Sequence, residues 1–223
     1  MIVATYEKMK SYLSSLSIKG SKKDLFEDYR QIAQDEIEQK ILGEDLVALL
    51  EADIIEPDSH VKLRVKVERI ISVSAFLKSM ASIDLVLTDL GFAVENSTGM
   101  APASRHRVDA LKSSLQQQLD GHIDDLIHFL IKSTIYDDWK GTIQFDDITS
   151  GLVATYREFK QFAPMTQSVK EIYPKNYSEF SLLYPNFNKA LLLKVAPLIS
   201  EDYCSELIEK YRDSDFSNLE EKT

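Results

Sequence analysis

"HVKLRVKVERIISVSAFLKSMASIDLVLTDL", residues 60–90, supports two readings that lead to different folds. Val61, Leu63, Val65 and Val67 alternate with charged residues as in a half-buried strand, while the run as a whole keeps helical spacing. Strands are short, so the length of the run decides for a helix over about 60–89. On a helical wheel Leu63, Val67, Ile70, Leu77, Ala81 and Leu85 lie on one side, and Val65, Phe76, Ile83 and Leu87 gather almost opposite. A helix apolar on both sides must be covered on both sides, either at the centre of a core or with one face in a subunit interface.

Outward in the C-terminal direction follows "DLGFAVENSTGMAPASRHRVDAL", residues 89–111. It interrupts the helical pattern with Gly91, an apolar triplet from Phe92 to Val94, a polar turn, and then Met100 and Pro102. Ser104 can cap the free N–H groups of a second long helix, expected over about 103–133. Val108, Leu111, Leu115, Leu119, Ile123, Leu126 and Leu130 recur there at spacings of three and four. Gly121 inside it lowers helix stability by ~1 kcal/mol relative to Ala and invites a kink. Toward the N-terminus, Ser21 followed by Asp24 matches a capping pattern for a helix over about 22–40, with Leu25, Tyr29, Ile32, Ile37 and Leu42 as its apolar stripe. Gly43 breaks it, and "EDLVALLEA" adds a short helix before Pro57.

After Lys132 the texture changes. Paired acids, Gly141, Gly151 and the β-favouring Thr142, Ile143 and Phe145 suit a connector with a short hairpin. Pro164, Pro174, Pro185 and Pro197 then cut the remaining helical texture into short pieces. The expectation is a mainly α, multi-helix bundle with two long helices and room for a short β-hairpin in the connecting loops. Residues 1–135 would form a helical core domain, and 136–223 a connector with short helices packed on it, the whole being equally readable as one domain. "LISEDYCSELIEKYRD", from Leu198, echoes "ILGEDLVALLEAD", from Ile41, with Glu-Asp at the same place. An echo this short arises by chance as readily as by duplication.

The totals agree with a helical, globular chain. Its 223 residues are 44% hydrophobic, and only 7 Gly and 6 Pro leave little material for an all-β fold. Lys plus Arg number 26 against 36 Asp plus Glu, a net charge of −10 that repels phosphate and disfavours sequence-specific nucleic-acid binding. One cysteine, Cys204, makes no internal disulfide and suits a reducing compartment, with the cytoplasm as default. No run approaches the ~18 apolar residues of a membrane span, and the start lacks the pattern of a secretory signal.

The common phosphate, dinucleotide, hydrolase and zinc-protease signatures are absent from the sequence. Asp120, Asp124 and His128 repeat every four residues and could gather a metal ion, but their stripe points opposite the face of Leu115, Leu119, Ile123, Leu126 and Leu130, so a solvated charged face is expected. Asp137-Asp138 and Asp146-Asp147 lack calcium-loop spacing and suit caps and turns. Arg105, His106 and Arg107 open a helix and could grip an anion, but local surface pairs with Asp109 are expected instead. Cys204 has no neighbouring base, and reads as a small core residue. No catalytic residue, cofactor or metal is expected, and the chain reads as no enzyme.

"DLGFAVENSTGMAPASRHRVDALKSSL", supported upstream by "FEDYRQIAQDEIEQKILGEDL", resembles an uncharacterised family carried by phages and prophages of gut anaerobes. Members of that family look like head-completion or head-to-tail connector proteins. The resemblance implies a virion neck protein, made in the host cytoplasm, that forms a ring and docks on the portal and on tail or neck proteins, with DNA passing through an acidic lumen. Gly91, Phe92, Val94, Met100 and Pro102 would then be partner-binding residues. The competing reading is a small cytoplasmic adaptor or regulatory protein from a mobile element, acting by protein binding. An enzyme with a metal held by the acidic pairs comes third.

Overall fold

The computed structural model describes residues 1–3, 5–13, 23–51, 58–80, 85–88, 91–94, 104–149, 154–162 and 174–213. It is mainly α-helical, and it divides into two compact units, Met1–Leu126 and Ile127–Thr223. The division falls within a long helix, a few residues before the change of texture after Lys132.

In the first unit, α1 (Tyr6–Tyr12) and α2 (Lys23–Ile37) pack on α4 (Asp58–Ser79). α2 passes through a widened π turn, Glu38–Leu42, to α3 (Glu44–Glu51). Ile70 to Phe76 are buried without interruption, so this half of α4 is enclosed on every side, as a doubly apolar helix requires. Nearer its start, Val61 and Val65 remain 42% and 39% exposed. Phe26 of α2 stacks on Phe76 of α4 with ring centroids 6.2 Å apart, and Tyr6 of α1 leans on Phe26 at 5.4 Å.

Polar side chains of α2 fasten the start of the chain into this core. Gln34 accepts from Ile2 N–H at 2.7 Å and donates to Glu51 at 2.6 Å. The Arg30 guanidinium, 2% exposed, donates to Val3 C=O at 3.1 Å and pairs with Glu27. The buried stripe of α2 is therefore Phe26, Arg30, Ala33, Gln34 and Ile37, whereas Ile32, expected within the stripe, is 45% exposed on the other side. Ser21, the expected cap, lies outside the described residues.

The helix expected to continue to 89 ends at Ser79. Beyond it stand two strands, β1 (Leu85–Thr88) and β2 (Gly91–Val94), paired antiparallel with Leu85 opposite Val94 and Leu87 opposite Phe92. The apolar residues of 85–88 that extended the helical pattern are equally good strand formers, and length misled once two elements were read as one.

α5 (Arg105–Lys132) starts directly after Ser104, whose carbonyl accepts from the Arg107 and Val108 N–H groups at 3.0 and 3.2 Å. Leu115, Leu119, Leu126 and Leu130 are buried along its expected stripe. After it, α6 (Tyr136–Trp139) and α7 (Ile143–Thr149) occupy the stretch expected to be a connector with a hairpin. Thr142 is a helix cap there, accepting from Phe145 N–H at 3.1 Å, and Phe145 packs edge-on against fully buried Trp139 at 5.2 Å. The β-favouring residues of this stretch thus serve a cap and a small aromatic core.

α8 (Tyr156–Phe162) and α9 (Tyr177–Ala190) meet through Phe159 and Phe180, with Tyr156, Tyr177 and Tyr184 around them. Both helices open with reciprocal caps. Thr155 accepts from Glu158 N–H while Glu158 accepts from the Ala154 and Thr155 N–H groups, and Asn176 and Glu179 repeat the pattern at α9. A second π turn, Leu191–Val195, leads to α10 (Ala196–Ile199) and α11 (Glu201–Asp213).

Candidate functional site

The expected docking residues divide. Gly91, Phe92 and Val94 lie in β2, while Met100 and Pro102 fall outside the described residues. Paired positions of an antiparallel ribbon share a face, so the register sets positions 85, 87, 92 and 94 on one face and 86, 88, 91 and 93 on the other. The first face carries Leu, Leu, Phe and Val; the second carries Val, Thr, Gly and Ala. A two-stranded ribbon is marginal by itself in water.

The most elaborate polar arrangement is elsewhere, where α1 crosses α4. Glu68, 3% exposed, accepts from Tyr12 Oη at 2.6 Å and stands 3.3 Å from Lys8 Nζ and 3.3 Å from Arg64 Nε. Ser72 Oγ donates to the Glu68 carbonyl at 2.6 Å. Burial, followed by the hydrogen bond to Glu68 and its charge, pushes the Tyr12 hydroxyl up to about 12, against a smaller pull from Arg69 and Arg64. Tyr12 is thus a neutral donor at ordinary pH, and the group acts as a clamp that satisfies a buried carboxylate. Nothing in the sequence reading singled it out. The available signal was Glu68 itself, an acid between Val67 and Ile70 in a helix apolar on both sides.

His122 of α5 is held below the ordinary imidazole value, first by burial and then by the charges of Arg69 and Lys66, with Asp125 opposing. Its environment favours the neutral ring.

Asp120 and Asp124 are 2% and 8% exposed, which corrects the expectation of a solvated stripe. Ile127, fully buried, follows Asp124 by three residues and Asp120 by seven, so helical spacing puts all three on one face, beside the leucines rather than away from them. Asp120 accepts from Gln116 at 3.1 Å. Among the described residues, no group of three His, Cys, Asp or Glu is placed to hold a metal ion. Asp137, Asp138, Asp146 and Asp147 are exposed on α6 and α7, and Cys204 is buried in α11. Arg105 faces Asp109 at 3.7 Å, both well exposed, while His106 and Arg107 are exposed beside them.

Among the described residues, no helix is long and apolar enough to cross a membrane. Fold and site together define a mainly helical protein with a two-stranded ribbon lying in the sequence between α4 and α5, the two longest helices among the described residues. The chain belongs to a family of unknown function (DUF6712), whose model matches residues 20–149, more than half of its length. No curated protein and no solved structure matches it.

Proposed function

We propose that this chain is a non-enzymatic structural subunit of the phage head-to-tail connector type, which oligomerises and docks on a portal through the β1–β2 ribbon. The observation that carries this reading is the ribbon itself, with Leu, Leu, Phe and Val at the positions of one face, set between α4 and α5 inside the segment that defines the family. Interface anchors are typically a few such residues among polar neighbours, and "ENST" follows directly. The sequence resemblance to connector proteins supplies the partners: further copies of the chain, a portal above, and tail or neck proteins below. A net charge of −10 suits a ring whose lumen lets DNA phosphates pass without sticking.

The test is the double substitution Phe92→Ser and Val94→Ser, read by thermal melting of the isolated protein and by co-purification with a phage portal protein. Docking predicts nearly unchanged melting and lost portal binding. Unfolding of the isolated chain, with a loss of roughly 3 kcal/mol or more as for deleted core side chains, would assign the ribbon to the core and remove the docking reading.

A further inference from the structure

Along α9, the second π turn and α10 run exposed leucines that no role above accounts for. Leu182 is 78% exposed, Leu193 62% and Leu198 82%. Solitary exposed leucines are ordinary, but here three lie within 17 residues, accompanied by partly exposed Leu183, Val195 and Ile199. Between Glu179 and Glu201 the only charged residues are Lys189 and Lys194, both exposed. In a chain of net charge −10 this is an apolar surface of positive sign.

The first unit carries its counterpart. On α2, Ile32 is 45% exposed, with Asp28 one turn before it and Asp35 and Glu36 one turn after. On α3, Leu49 is 37% exposed one turn after Asp45. From Glu27 to Glu51 there are eight acids; Glu27, Glu36 and Glu51 face Arg30, Lys78 and the Met1 ammonium, so the negative surface charge rests on Asp28, Asp35, Glu38, Glu44 and Asp45, against Lys40. An apolar surface edged by lysines and one edged by acids are complementary in both hydrophobicity and charge.

We propose that the Leu182–Leu198 surface of one copy docks on the acidic α2–α3 surface of a second copy. The inference rests on the self-association in the proposed function and names the surfaces that carry it. Because the two surfaces differ, each copy offers one of each, and the contact is head to tail. Such a contact closes into a ring or runs on as a filament, rather than stopping at a two-fold dimer.

Two double variants and their mixture test it, with mass measured by sedimentation over a concentration series. Leu193→Glu with Leu198→Glu spoils the donor surface, and Asp28→Lys with Asp45→Lys spoils the acceptor. All four residues are exposed, so melting serves as the folding control, and Lys189→Glu with Lys194→Glu is a second donor variant should the leucine variant fail to fold. Wild type is expected to self-associate, more weakly as salt rises. Each variant should weaken association at least ~30-fold, as loss of one strong anchor does. An equimolar mixture of donor and acceptor variants should recover dimers and nothing larger, since one good surface of each kind survives. Wild type that stays monomeric to millimolar concentration, variants that associate normally, or a mixture that stays monomeric each overturns the proposal. Loss of portal binding in the donor variant, with wild type monomeric, also overturns it while leaving the connector reading in place. Failure of the Phe92→Ser, Val94→Ser variant on the portal, with self-association intact, has the reverse meaning.

Discussion

Two corners of the molecule share a construction and differ in their surroundings. At the first, Ile41 and Leu42 end a π turn, Gly43 reverses the chain at φ 82° and ψ 164°, and Glu44-Asp45 open α3. At the second, Leu198 and Ile199 end α10, Ser200 takes φ 75° and ψ 148°, and Glu201-Asp202 open α11. Gly43 C=O accepts from Val47 N–H at 3.3 Å and Ser200 C=O from Cys204 N–H at 3.1 Å, so the first helical bonds also correspond. The inward residues match as well, Val47 at 4% and Cys204 at 5% exposure. The apolar pairs do not. Ile41 and Leu42 are 6% and 0% exposed; Leu198 and Ile199 are 82% and 37%. The same local sequence grammar builds a corner closed by its own unit in one place and left open in the other. Local signals therefore set the chain reversal, and whether its leucines are core or surface is decided by what lies beyond it.

That contrast breaks most visibly under truncation. Leu42→Ala removes a fully buried side chain and should cost about 2–5 kcal/mol in denaturant unfolding. Leu198→Ala should stay within about 0.5 kcal/mol for the isolated, dilute protein. Equal costs would mean that the second corner is closed after all. Backbone comes next. Gly43 occupies a region that nearly only glycine visits, so Gly43→Ala should cost about 1–3 kcal/mol by the same measurement. At the second corner Ser200 holds similar angles and offsets strain by capping α11, accepting from Tyr203 N–H at 3.2 Å.

Legibility in the sequence follows the same divide. Periodicity gave the helical class, the α5 stripe and the enclosed half of α4, because burial on a helix repeats every turn whatever covers it. The start of α5 was readable from Ser104, and the matching Glu-Asp corners were visible as an echo. What misled was material whose preference is shared between states. Residues 85–88 suit helix or strand, and Thr142, Ile143 and Phe145 suit a strand until a cap and a tryptophan claim two of them. Asp120 and Asp124 looked solvated because charge was taken to imply exposure, whereas the burial arc of α5 is wide enough to take them in. The Glu68 clamp was hidden for a different reason. Its partners Lys8 and Tyr12 come from α1, and contact across 56 residues leaves no trace in local spacing. Of the docking residues, the ribbon positions are located, while Met100 and Pro102 lie outside the described residues.

The clamp is one of the long-range contacts that hold the first unit. An unfolded tyrosine ionises near 10, and Tyr12 keeps its proton to about 12. Between those values the folded state holds a proton that the unfolded state has lost, so stability is full below pH 10 and falls as pH rises toward 12. Glu68→Gln removes the carboxylate's share of the shift and leaves that of burial. The Tyr12 transition, isolated by subtracting the ultraviolet titration of Tyr12→Phe, should move back toward 10 in this variant. An unmoved transition would show that burial alone sets it.

The gentlest change of backbone concerns Gly121, in the helix within which the two units divide. In the sequence it reads as a kink, and a kink kept for packing would make any side chain there costly. In the structure α5 runs through it as a continuous helix, the residue is exposed, and a Cβ built on it meets nothing within 4 Å. Gly121→Ala then changes two things only. It removes conformational freedom from the unfolded chain, and it covers some exposed helical backbone. Both favour the fold, by about 0.8–1.0 kcal/mol for a glycine in a helix interior, which denaturant unfolding can resolve if both units lose structure in one transition. Should the transition split in two, the substitution will raise the one to which this turn of α5 belongs, and that assignment would test the division at Leu126 directly. A loss of stability would mean that α5 needs the glycine to bend.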